Sequence, residues 1–246
     1  MNGPRSPGRS HHGMSFGQRL RENDSYGLLL VLIIGTLFAS AVPFGTIGSV
    51  VRALSLGVTL VFALLTSASS RGEVLSAVGL VIVAGAISVP FDHDSAVDRA
   101  VVSGAQLILC IGVLAAIARR VGSQPIVNAA TILAALCVYL MLGIAFAAAY
   151  GFVAALDAAP GFTGAVGLGG DGTPIDRTYF SFTTLTTVGF GDIAAATDVI
   201  RMLAVTEAFT GQLYLVTVVA LLVSNVGRER RRYRDGAAGS DASGDG

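Results

Sequence analysis

The sequence predicts an all-α membrane protein: six transmembrane helices, with a shorter segment between the fifth and sixth that enters the membrane and turns back. Three observations carry this reading. Of 246 residues, 53% are hydrophobic and 13% charged. The apolar residues gather in blocks of about 18 or more, the length a helix needs to cross a hydrocarbon core of about 30 Å. Between the blocks, arginine-bearing segments alternate with acidic ones, as the two faces of a bilayer require.

Residues 1–25 combine Gly, Pro, Ser, Arg and His with too little apolar surface to offset the entropy of ordering, and are expected to form a disordered cytoplasmic arm. The first crossing runs from Tyr26 to Val42 and stops at Pro43. Ala39-Ser40-Ala41 also resembles a leader cleavage site, and either reading leaves residue 43 on the outer side. The second block, Ile47 to Ser67, carries one internal charge, Arg52. The third, Val74 to Val89, ends at Pro90, and the acidic loop FDHDSAVDR leads to a fourth from Ala100 to Ala118. Residues 26–120 thus form a four-helix membrane domain. Ser123 and Pro125 open a fifth helix that reaches Leu156, longer than a bilayer is thick, so one end projects. The last block runs from Val199 to Val226.

Orientation follows from arginine placement. Arg5, Arg9, Arg19 and Arg21 precede the first helix, Arg71 follows the second, Arg119 and Arg120 follow the fourth, and Arg228, Arg230, Arg231, Arg232 and Arg234 follow the last. The alternate loops hold Asp92, Asp94, Asp98, Asp157, Asp171, Asp176 and Asp192. Six crossings with both termini in the cytoplasm, as a multi-pass protein of the cell membrane, separate the two sets. The basic run at Arg228, Arg230, Arg231 and Arg232 reads first as a stop-transfer flank and second as a contact for anionic lipid; the tail 228–246 is expected to be disordered.

Other classes find little support. A formal net charge of zero gives no reason to expect nucleic acid. Cys110 and Cys137 fall inside apolar blocks, and His11, His12 and His93 lack partners at metal-ligand spacing. No hydrolase triad or nucleotide loop is present, so neither an enzyme nor a cofactor is expected.

Between the fifth and sixth blocks, a glycine-rich outer loop gives way to a helix start: Thr173 as cap, Pro174 in the first turn, Asp176 facing the free amides. From Pro174 to Thr186 such a helix spans about 20 Å, too short to cross, so it must re-enter. The stretch TTVGFGD that follows cannot be helical throughout. Irregular backbone at membrane depth is tolerated only where protein or a water-filled cavity receives its polar groups. Glycines at 189 and 191 permit positive φ, so successive carbonyls can turn to one side. Carbonyls of Thr187, Val188, Gly189 and Phe190, repeated around an axis, would replace a cation's hydration shell, and the Thr187 hydroxyl would add a ring. Val188 and Phe190 are expected to pack behind.

Thr187-Val188-Gly189-Phe190-Gly191-Asp192 resembles the selectivity-filter signature of potassium channels, in its Phe form. YFSFTTLTTVGFGD is similar to a pore helix and filter, and GQLYLVTVVALLV to the inner helix of the bacterial two-helix-pore channel superfamily. The resemblance covers about residues 125–226 and makes 121–227 a pore domain of outer helix, pore helix, extended selectivity filter and inner helix. It implies a homotetramer around one pore, K+ held at Thr187, Val188, Gly189 and Phe190 with Gly191 completing the filter, and support from Tyr179, Thr183, Thr184 and Asp192.

Three departures touch filter support: IAAAT stands where many relatives have a proline after the filter aspartate, Phe190 lacks a hydroxyl, and Thr183 stands where some relatives have glutamate. Glu207, about ten residues into the last helix, is expected to brace the filter through Thr183 or Thr184. Gly211 fits either a gating hinge or close packing. No arginine ladder lies along the fourth helix; Arg99, Arg119 and Arg120 sit at its ends and Arg52 stands alone in the second, which predicts weak voltage dependence. A weakly selective cation channel, a secondary transporter and a non-conducting membrane subunit are the alternative readings. A transporter would usually show a second interrupted segment, and only one is found.

Overall fold

A computed structural model describes residues 16–42, 46–66, 75, 78–79, 81–82, 95–122, 129–157, 159–165 and 170–241, with side chains described between Ser25 and Ala220 except at 46, 120–122 and 129–130. The elements run α1 (Phe16–Ala39), α2 (Thr46–Thr66), α3 (Ala96–Gly122), α4 (Ala129–Leu156), β1 (Phe162–Thr163), α5 (Pro174–Leu185), β2 (Ala194–Ala195) and α6 (Asp198–Asp241).

Among the described residues, four segments are long and apolar enough to cross a membrane: Ile47–Thr66, Ala96–Arg119, Thr131–Leu156 and Asp198–Ala220. A shorter apolar run, Ser25–Ala39, ends α1. Of the third expected crossing, residues 75, 78–79 and 81–82 are helical, and the rest lies outside the described residues, as do Ser123 and Pro125.

Both ends differ from the sequence reading. Helix α1 begins at Phe16, inside the arm expected to be disordered, and α6 continues through Asp241 instead of ending at Val226. Once a long apolar helix is nucleated, each added residue gains a backbone hydrogen bond, and QRLRE and RERRRYR are rich in good helix formers. Composition argued against a packed core in these segments; it did not argue against helix.

Helices α1 to α4 pack around Tyr26, Ile33, Leu60, Leu109, Val113 and Met141, with the free Cys110 and Cys137 in the same core. Polar threads cross it: the Thr36 and Thr59 hydroxyls lie 3.3 Å apart between α1 and α2. Helix α4 is apolar on all sides, and its far half forms a second core with Tyr150, Phe162 and Phe180, whose rings meet edge to face at 5.1–5.8 Å. This cluster seats α5 against α4.

Candidate functional site

Helix α5 has twelve residues, about 18 Å, and starts as its sequence predicts. The Thr173 hydroxyl accepts from the Asp176 amide at 3.4 Å, and the Asp176 carboxylate accepts from the Thr173 amide at 2.9 Å. Close packing fixes its depth. A Cβ at Gly143 of α4 would lie 2.7 Å from the Phe182 ring, and one at Gly211 of α6 would lie 2.8 Å from the Leu185 carbonyl oxygen. Gly211 therefore admits the end of α5, and α6 passes through it without interruption. The Leu185 carbonyl, one of the acceptors a helix leaves unsatisfied at its C-terminus, takes the Tyr139 hydroxyl at 3.2 Å. Tyr139 stacks on Tyr214 at 5.9 Å, and the Tyr214 hydroxyl donates to the Ala135 carbonyl at 2.7 Å.

Beyond Thr186 the chain leaves the helix in an alternating conformation. Thr187 has φ +60°, Gly189 +50° and Gly191 +80°. The positive φ at 189 and 191 is what the glycine spacing predicts, and left-handed residues at every second position permit successive carbonyls to turn toward one side. Thr187 was not foreseen. A β-branched residue there costs about 1–3 kcal/mol and persists only where its surroundings impose it. They do: the Thr187 amide donates to the Thr184 carbonyl at 3.0 Å, and the amides of Val188 and Gly189 both donate to Thr183 O, at 2.8 and 3.1 Å. Thr183 and Thr184 thus hold the turn through their backbones, while the Thr183 hydroxyl donates back to Phe180 O at 3.0 Å.

Residues Thr186 to Asp192 are all exposed in the single chain, Val188 at 53% and Phe190 at 70%. Phe190 lies parallel to the Tyr179 ring, centroids 6.2 Å apart. The Tyr179 hydroxyl donates to Asp192 at 2.9 Å, a bond that holds the phenol above its ordinary pKa range. After Asp192, where the expected proline is missing, Ala194-Ala195 pairs antiparallel with Phe162-Thr163, and the Ala196 amide donates to Gly161 O at 2.9 Å. Two-residue strands left no sequence pattern to read.

Glu207 is fully buried in α6. Its partner in α5 is Ser181, in place of the expected Thr183 or Thr184, and the Tyr150 hydroxyl of α4 donates to its other oxygen at 2.6 Å. Ser181 also approaches the Gly143 carbonyl at 2.7 Å. The reason is helical phase: Ser181 shares the buried face of α5 with Thr178 and Leu185, whereas Thr183 and Thr184 are only half-buried.

Residues 138–228, which include α5, the turn after it and the apolar part of α6, match the family model described as ion channel. That segment is similar to an ion-channel domain. The match is consistent with the potassium-channel pore resemblance of the sequence. No curated protein matches the chain significantly. Within the matched segment, sequence reasoning missed Ser181, Tyr150 and Tyr139. A serine four residues before Leu185 on the apolar face of α5 was the available signal for the first; two tyrosines in an otherwise apolar α4, each needing a partner for its hydroxyl, were the signal for the others.

Proposed function

We propose that the chain is one subunit of a homotetrameric, potassium-selective channel of the cell membrane. Carbonyls of Thr187, Val188, Gly189 and Phe190, with Gly191 completing the filter, replace the hydration shell of K+. The observation that carries this reading is the left-handed backbone at 187, 189 and 191, directly after a helix too short to cross. The exposed apolar surface supports assembly: Val188 and Phe190 at the turn, and Val199, Met202, Val205, Phe209, Leu213 and Val216 on α6, are each more than half exposed in one chain. Only 11% of the Asp198–Ala220 window is buried, against 39–56% in the other three spans. Such a surface demands protein neighbours or lipid, and polar backbone at Thr187 to Gly191 demands protein or water. In this reading six helices cross, both termini are cytoplasmic, and Tyr179, Asp192, Thr183, Thr184 and Glu207 stabilise the filter.

Purified protein in vesicles with an outward K+ gradient tests it. Rapid K+ efflux that Na+ cannot replace is expected. Slow coupled uptake would identify a transporter, equal K+ and Na+ flux a weakly selective channel, and no flux a non-conducting subunit.

A further inference from the structure

Where α5 begins lie two adjoining cavities, one of about 40 Å³ lined by α1, α2, α3, α4 and α5 and one of about 10 Å³ lined by α2, α3 and α5. Both are lined by Arg52 of α2, Gln106 of α3, and Pro174 and Arg177 of α5. Arg99 and Ser103 border the smaller one, Thr36 and Ser40 the larger. The arginines are deeply placed, Arg52 and Arg177 each 6% exposed. A buried cation is retained only where charge and hydrogen bonds meet it.

Within this group the described carboxylates are committed elsewhere. Asp171 is paired with Arg99 at 3.2 Å, and one oxygen of Asp176 takes both the amide and the hydroxyl of Thr173, each at 2.9 Å. Arg52 donates to the Val42 carbonyl at 3.4 Å. The Arg177 guanidinium has no hydrogen bond or ion pair among the described residues, although the residue as a whole is only 6% exposed and lines both cavities. The fold makes room for it: a Cβ at Gly151 of α4 would lie 2.8 Å from the Arg177 Cζ and 2.8 Å from the Ser103 hydroxyl. Arg52 and Arg99 face Arg177 with like charge, Asp171 and Asp176 with opposite charge.

We propose that this cavity binds a phosphate-class oxyanion held by Arg177 and Arg52, with Gln106 as a neutral donor. The planar guanidinium fork matches two oxygens of a phosphate, and the start of a helix favours negative charge nearby. The anion then ties the first turn of α5 to α1, α2 and α3, which gives those helices a route to the filter that needs no moving charge ladder. A lipid headgroup and a free phosphate both present this chemistry.

The test uses the full chain, delipidated in neutral detergent, and reads its unfolding temperature as inorganic phosphate is added, and separately as phosphatidylglycerol or phosphatidylcholine is added in mixed micelles. A rise with inorganic phosphate assigns a soluble oxyanion; a rise with lipid alone assigns a headgroup. In either case Arg177→Gln should weaken the effective ligand at least about tenfold, the loss expected when a charged hydrogen-bond pair is removed. Gln106→Glu, nearly isosteric, should raise the unfolding temperature without ligand and abolish the response. No response of the unsubstituted chain to any probe, an equal response from Arg177→Gln, or a Gln106→Glu protein that is no more stable and responds normally overturns the proposal. None of these readouts depends on ion flux, so the potassium reading stands or falls separately.

Discussion

Ser181 in the middle of α5 is hydrogen-bonded to Glu207 in α6, and the same carboxyl accepts from Tyr150 of α4, so one buried side chain joins the three helices around the turn that follows α5. Replacing Glu207 by valine leaves the Tyr150 hydroxyl buried without this acceptor and costs Ser181 one of its two. An orphaned buried polar group costs about 1–3 kcal/mol. Glu207→Val should lower the unfolding temperature of the assembled protein and alter open probability in planar bilayers, while Glu207→Gln, which keeps an acceptor, should be milder. Unchanged currents and stability in Glu207→Val would remove Glu207 from filter support.

Tyr179 contacts the turn in two ways, by its bond to Asp192 and by its stack on Phe190. Tyr179→Phe removes the first and keeps the second. Sustained recordings should show faster loss of current than the unsubstituted chain, with unitary conductance retained; Asp192→Asn should behave similarly. Identical time courses would mean that the bond does not hold the outer mouth.

Gly211 offers a direct choice between hinge and packing. A methyl group at 211 meets the Leu185 backbone oxygen at 2.8 Å, and overpacking of this kind typically costs about 1–3 kcal/mol. Gly211→Ala should therefore lower the unfolding temperature in the closed and open conditions alike. A hinge role predicts instead that stability is kept and only open probability changes.

Arg99 pairs with Asp171 at one end of α3, Arg52 stands alone in α2, and no arginine ladder runs along α3. Open probability should change little between −100 and +100 mV, a range over which each moving charge would contribute about 2.3 kcal/mol per 100 mV. Steep voltage activation would contradict this.

The turn at Gly189 and Gly191 was legible because alternate glycines and a helix too short to span are both sequence properties; the left-handed Thr187 was not, because a β-branched residue gives no such signal. The Thr173 cap was legible for the same reason: its residues lie three apart. What could not be read was rotation. Helix α5 carries hydroxyls on several faces, at Thr178, Tyr179, Ser181, Thr183 and Thr184, so sequence alone left Thr183 and Thr184 as equal partners for Glu207, and only packing against Gly143 selects Ser181. Helix α4 is apolar around its whole circumference and gives no phase at all, which hid Tyr150 and Tyr139. The Phe162–Ala195 pairing joins segments more than thirty residues apart with strands too short to alternate. Helical continuation past Val226 is not legible in a basic, glycine-containing tail, because inability to pack is a separate property from backbone propensity.

Diffraction from crystals grown in thallium, a heavy stand-in for K+, tests the central claim at the atoms concerned. Four chains about one axis are expected, with anomalous peaks along it between successive rings of the Thr187 to Phe190 carbonyls, and loss of those peaks in Na+ alone. Peaks absent from the axis, or residues 187–191 turned toward lipid in an assembly without fourfold symmetry, would contradict the account.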